Sequence, residues 1–158
     1  MSVSRRPGVG LTTLLLLFVS LTILATRCLP HPVGAARTFG KYEEKARSTA
    51  DAALSEVATV DLAAHNAHRS FGPYLSTVIS DAEEALSGLQ GTFDSLQPPD
   101  ERADAVQEDL DGVLSDALEH VRSVRTAVRR GELDALDHEA EPLADDADRL
   151  QSFSVEHA

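Results

Sequence analysis

Asp61, His65 and His68 are the residues whose types and spacing come nearest to chemistry. At positions i, i+4 and i+7 they fall within about 60° of one another on a helix. Imidazole and carboxylate are competent ligands for zinc or copper, which makes these three the candidate metal ligands. His120 is a further histidine that could approach them. The competing account is a solvated polar flank beside a helix end, because the three are turned about 100° from the apolar row through Val60. The flank is the stronger account, so the sequence implies no resident metal, no cofactor and no catalytic residue.

Other groupings carry less. The clusters Glu108-Asp109-Asp111 and Asp145-Asp146-Asp148 lack the alternating oxygens and central glycine of a twelve-residue calcium loop, and they read as solvated helix faces. The chain has no Gly-x-Ser-x-Gly, no phosphate-binding glycine loop and no His-Glu-x-x-His. It also lacks the paired Glu-x-x-His of di-metal bundles. The single cysteine, Cys28, cannot form an internal disulfide. It reads as a free thiol or as a cross-link between two chains.

Charge narrows the partners. All 26 acids lie from Glu43 onward, while Arg5, Arg6 and Arg27 are among the 14 basic residues. The chain after Arg27 therefore sets 11 basic residues against 26 acids, a net charge of −15. Such a surface repels nucleic-acid phosphates, so no nucleic-acid partner is expected. Aromatic residues are 4% of the chain and tryptophan is absent, which removes broad stacking surfaces.

These residues must be carried on something, and one uncharged run decides where. No charge falls between Arg6 and Arg27. A helix over Val9–Ala25 would be roughly 25 Å long, close to the ~30 Å hydrocarbon core once Gly8 and Thr26 are added. Arg5 and Arg6 favour an N-terminus held in the cytoplasm, and everything after Arg27 would then be exported. The favoured reading is a signal anchor over 1–26, giving a single-pass membrane protein with its C-terminal domain outside. The alternative is a cleaved signal peptide and a secreted chain. Val33-Gly34-Ala35 offers small residues for that cleavage, and Ile23-Leu24-Ala25 is a nearer but poorer site. Arg27 before Cys28 departs from lipoprotein signals. Pro7-Gly8 after Ser4-Arg5-Arg6 departs from twin-arginine signals.

Residues 27–38, with Pro30, Pro32 and Gly34, read as a linker. From Phe39 the period is helical. Phe39, Ala46, Ala53, Val60 and Ala67 form one row, and Ala50, Val57, Ala64 and Phe71 its companion. Gly72-Pro73 closes this first helix, with Gly72 as its cap. A second, over 73–96, carries Leu75, Ala82, Leu89 and Leu96 beside Ile79, Leu86 and Phe93; Gly88 and Gly91 suggest a close crossing or a bend. A third, over 99–130, starts at the Pro98-Pro99 punctuation and ends at Gly131. A fourth, over 132–152, carries Leu133, Leu136, Ala140, Leu143, Ala147 and Leu150, with a kink or break at Pro142. Leu86, Phe93, Leu110 and Leu114 are expected at the centre of the core.

The fold class is therefore all-α, an antiparallel four-helix bundle over 39–153 with a tail at 154–158. The alternative is a long helical hairpin or coiled coil that dimerises. Tyr42-Glu43-Glu44-Lys45, and Leu89-Gln90-Gly91-Thr92-Phe93 followed by Gln97-Pro98-Pro99, resemble a group of small exported helical proteins of high-GC Gram-positive bacteria. The resemblance implies an exported, all-helical protein and no assigned activity. The expectation is a non-catalytic protein-interaction or structural module, meeting the membrane through its N-terminal run and an unidentified protein through its surface. The alternative is an extracytoplasmic bundle that binds or senses a metal or small ligand.

Overall fold

Sequence-local signals delimit each helix in the computed structural model, which describes residues 38–158. The membrane run, Cys28 and the linker up to residue 37 lie outside the described residues. The order is α1 (Phe39–His65), a 3₁₀ turn (Ala67–Arg69), α2 (Gly72–Asp94), α3 (Glu101–Arg130), a second 3₁₀ turn (Leu133–Ala135) and α4 (Leu136–Glu156). All the regular elements described are helical. Among the described residues no helix is long and apolar enough to cross a membrane.

The best-formed ends belong to α3. Asp100 caps its start, the carboxylate accepting from the backbone N–H groups of Arg102 and Ala103 at 3.1 Å. Glu101 and Asp104 lie in its first turn, and Arg129 and Arg130 in its last, each matching the helix dipole. Gly131 takes the left-handed conformation at φ 72°, and Glu132 N–H closes on the Ala127 carbonyl at 3.0 Å. The Pro98-Pro99 pair lies before this cap, outside the helix. The first-turn proline device operates instead in α2, at Pro73.

Several features differ from expectation: the second helix ends at Asp94 rather than 96, the third starts at Glu101 rather than 99, and the fourth starts at Leu136 rather than 132, after the second 3₁₀ turn. The α-helix α1 stops at His65 rather than 71, because Asn66 folds its amide back onto the Leu62 carbonyl at 2.8 Å and the chain tightens into the 3₁₀ turn. Phe71 consequently leaves the companion row and is 75% exposed. Gly72 opens α2 instead of capping α1. Pro142 lies inside one uninterrupted helix, not between two pieces. It falls in the second turn, where it removes one donor to the carbonyl of exposed His138, and the buried Leu136, Ala140, Leu143 and Leu150 hold the helix on both sides. Finally, α4 continues into the expected tail as far as Glu156, Ser154 donates to Asp51 at 2.5 Å, and the His157 and Phe153 rings meet with centroids 4.4 Å apart and planes tilted by 45°.

The four helices pack as a bundle around one apolar core. Each packs on its two neighbours, and α1 also packs on α3. Leu86, Phe93, Leu110 and Leu114 are all buried within it. Tyr42, one turn after Phe39, opens the buried row of α1 and meets Phe93 with ring centroids 5.5 Å apart. Phe39 itself is only partly covered and lies under the Arg102 guanidinium, 4.3 Å away. Gly88 and Gly91 mark no close crossing, since a Cβ at either would meet nothing within 4 Å.

Candidate functional site

The structure does not bring Asp61, His65 and His68 together as ligands. His65 uses Nδ1 on its own helix, donating to the Asp61 carbonyl at 2.9 Å with the Asp61 carboxylate 3.2 Å away. That backbone hydrogen bond, and then the Asp61 charge, raise the His65 pKa. His68 sits in the 3₁₀ turn beyond the end of α1, so the i, i+4, i+7 geometry is lost there. Its Nε2 lies 3.9 Å from Asp134, at the connection into α4. Among the described residues no group of three or more His, Cys, Asp or Glu side chains is placed to hold a metal ion.

His120 takes part in a different arrangement. Its Nδ1 is 2.6 Å from Oδ2 of Asp146, on α4. Asp146 is 1% exposed and is the buried charged residue of the described core. Its other oxygen lies 3.8 Å from Nη1 of Arg149, which in turn donates to Asp116 at 2.7 Å. A carboxylate that must be buried is stable only when paired and hydrogen-bonded, and this one is held on both sides. With Nδ1 committed, Nε2 is the imidazole nitrogen left for an outside group.

His120 also lines a cleft of about 380 Å³ between α3 and α4, with Ser123, His138, Glu139, Glu141, Pro142 and Asp145. The Ser123 hydroxyl donates to the Glu139 carboxylate and is not aimed at His120. Serine and histidine therefore do not form a nucleophile–base pair. His138 and Glu141 form an exposed pair 3.4 Å apart. An imidazole braced by a buried carboxylate, on a wall rich in carboxylates, has the chemistry to accept from a hydrogen-bond donor.

Asp146 was hidden in the acidic run Asp145-Asp146-Asp148, which as a whole reads as solvent-facing. The signal that could have found it is register: Asp146 lies three residues after Leu143 and four before Leu150. It occupies the buried place expected of Ala147, which is only partly covered.

A second polar cluster joins α1, α2 and α3. Tyr42 is fully buried and its hydroxyl has no hydrogen-bond partner among the described residues. Burial, then the charge of Asp111, pushes the phenol to about 12. Burial, together with the hydrogen bond and charge of Asp94, lifts the Asp111 carboxyl to about 6. Asp111 belongs to the other acidic run read as fully solvated, yet it is half-buried.

The apolar surface is uneven. Among the described residues the exposed large hydrophobic ones are Leu62, Phe71, Tyr74 and Val155, and three of these four lie around the α1–α2 connection. The stretch 62–80 contains no acid.

No family model, curated protein or solved structure matches this chain.

Proposed function

We propose that this chain is an exported, membrane-tethered, antiparallel four-helix bundle that acts without catalysis, as a protein-interaction or spacing module presented outside the cytoplasm. The observation that carries the reading is the closed interior. The apolar rows of all four helices are used in helix packing, and Asp146, the buried charged residue among the described ones, is bonded within the chain. What remains for a partner is surface: acidic flanks, which steer encounter with basic partners, and an apolar end. Pairings such as Tyr42 with Phe93 and Ser154 with Asp51 favour neighbouring helices of opposite direction. The uncharged run Val9–Ala25 favours the tether.

The test is topology. The full chain, tagged at its C-terminus, is produced in a Gram-positive host, and intact cells are treated with protease before fractionation. The expected result is membrane-bound chain whose domain is cut from outside, with an N-terminal mass that includes the apolar run. A shortened chain released to the medium selects the cleaved form. A protected chain recovered in the cytosol refutes the reading.

The cleft beside His120 favours a second reading, a bundle that binds a metal or small cationic ligand. Binding to the native state alone adds about 2.7 kcal/mol at a hundredfold excess over the dissociation constant. Zinc or copper should then raise the melting temperature by several degrees over chelator. That increment should vanish in His120→Ala and persist in His65→Ala.

A further inference from the structure

The geometry points to the end of the bundle formed by Leu62, Phe71 and Tyr74 as a lipid-bilayer docking tip. This inference rests on the surface-recognition reading and names the partner of one surface.

Three observations converge. Leu62, Phe71 and Tyr74 are 66%, 75% and 63% exposed; among the described residues Val155 is the further large apolar side chain so exposed, and it lies near the end of α4, beside the start of α1. Phe71 was expected to close the α1 row; the 3₁₀ turn Ala67–Arg69 carries it outward instead. These residues also protrude at an end. His68 lies 3.9 Å from Asp134, so the α1–α2 and α3–α4 connections share this end. It is about 40 Å along α1 from Phe39, where the described chain begins.

The charge here also differs from the rest. In a chain with 26 acids, 62–80 has none and carries Arg69. Exposed Arg129 and Arg130 end α3 at the same connection, and Asp61, Glu132, Asp134 and Asp137 lie at this end too. With Arg69 that sets three basic groups against four acids, a net charge of −1, where the flanks are strongly acidic and repel phosphate headgroups. Over a screening length of about 8 Å, charges farther down the bundle have little influence on it.

The size of the patch decides between occupants. Three side chains offer on the order of 400 Å² of apolar surface. A stable protein interface needs about 800 Å² from each partner, with matching shape. A second copy seated on this patch would therefore be held weakly. A bilayer interface needs no complementary shape, accepts protruding side chains singly, and suits an aromatic with a polar tip such as Tyr74.

The experiment uses the full chain carrying Phe71→Trp, which becomes its sole tryptophan. Phe71 is exposed, so the replacement leaves the core intact, and Tyr74→Trp serves as an independent probe. Ser87→Trp, on the exposed flank of α2, is the comparison. Each is mixed with vesicles of equal parts phosphatidylcholine and phosphatidylglycerol. Emission at 71 and 74 should move to shorter wavelength and be quenched by brominated acyl chains, while emission at 87 should not change. Adding Tyr74→Asp to the Phe71→Trp chain should weaken that response about tenfold. Water-like emission at 71 and 74 with vesicles present overturns the proposal. So does an equal response at 87, which would mean unspecific adsorption. A blue shift that grows with protein concentration without lipid overturns it in favour of a second copy. None of these outcomes bears on the topology test, which fails separately by finding the chain in the cytosol.

Discussion

The pair His120–Asp146 makes an asymmetric prediction: removing the more exposed partner should cost more than removing the buried one. In His120→Ala the Asp146 carboxylate, 1% exposed in the parent chain, loses its 2.6 Å partner and keeps only Arg149 at 3.8 Å. Breaking a buried pair in this way costs about 3–5 kcal/mol. The remaining arginine places the value near the lower limit, about 3 kcal/mol. In Asp146→Ala the orphan is His120, whose side chain is 34% exposed and can turn to water in the cleft. The loss is then one hydrogen bond, about 1–1.5 kcal/mol, offset by roughly 0.5 kcal/mol from the better helix propensity of alanine. The double variant carries no buried unpaired charge and should be more stable than His120→Ala alone. Urea unfolding of 38–158 followed by helical circular dichroism measures all three. At about 4 °C per kcal/mol for a domain of this size, His120→Ala should melt some 12 °C below the parent. If Asp146→Ala costs as much as His120→Ala, or if the double variant is the least stable, the buried-charge argument is wrong.

Three further outcomes are expected. Leu110 is fully buried, so Leu110→Ala should cost about 2–5 kcal/mol by chemical denaturation; a loss below roughly 0.5 kcal/mol would place it at the surface. The same change should act oppositely at two glycines: Gly88→Ala, in open space within α2, should stabilise by up to about 1 kcal/mol, whereas Gly131→Ala, at φ 72°, should destabilise by about 1 kcal/mol. Asp111 takes up its proton at about 6 when folded against 3.8 for the free group, so its contribution to stability declines as pH rises across that window. Asp111→Asn should therefore raise the melting temperature at pH 7 and change it little at pH 4, and an equal gain at both would remove this carboxyl as the cause.

The sequence by itself determined what is local. Seven-residue rows of Ala, Leu and Val are enough to specify helices, because one face of each must leave water. Gly131 after Arg129-Arg130 is enough to end α3, because only glycine enters the left-handed region without strain. The bulky members of two rows, Leu86, Phe93, Leu110 and Leu114, were legible as core for the same reason. Only the tertiary structure decided how those faces turn against one another. Asp146 and Ala147 sit on adjoining parts of one helix surface, and the rotation of α4 against α3 buries the first and half-covers the second. His120 finds Asp146 at a separation of 26 residues, which no local spacing encodes. Asp61, His65 and His68 had helical spacing, yet α1 stops at His65 and sends His68 toward Asp134. Periodicity reports which residues share a face. The rotation, axial offset and exact ends of the helices follow from fitting all the side chains together, so they appear only when the bundle is assembled.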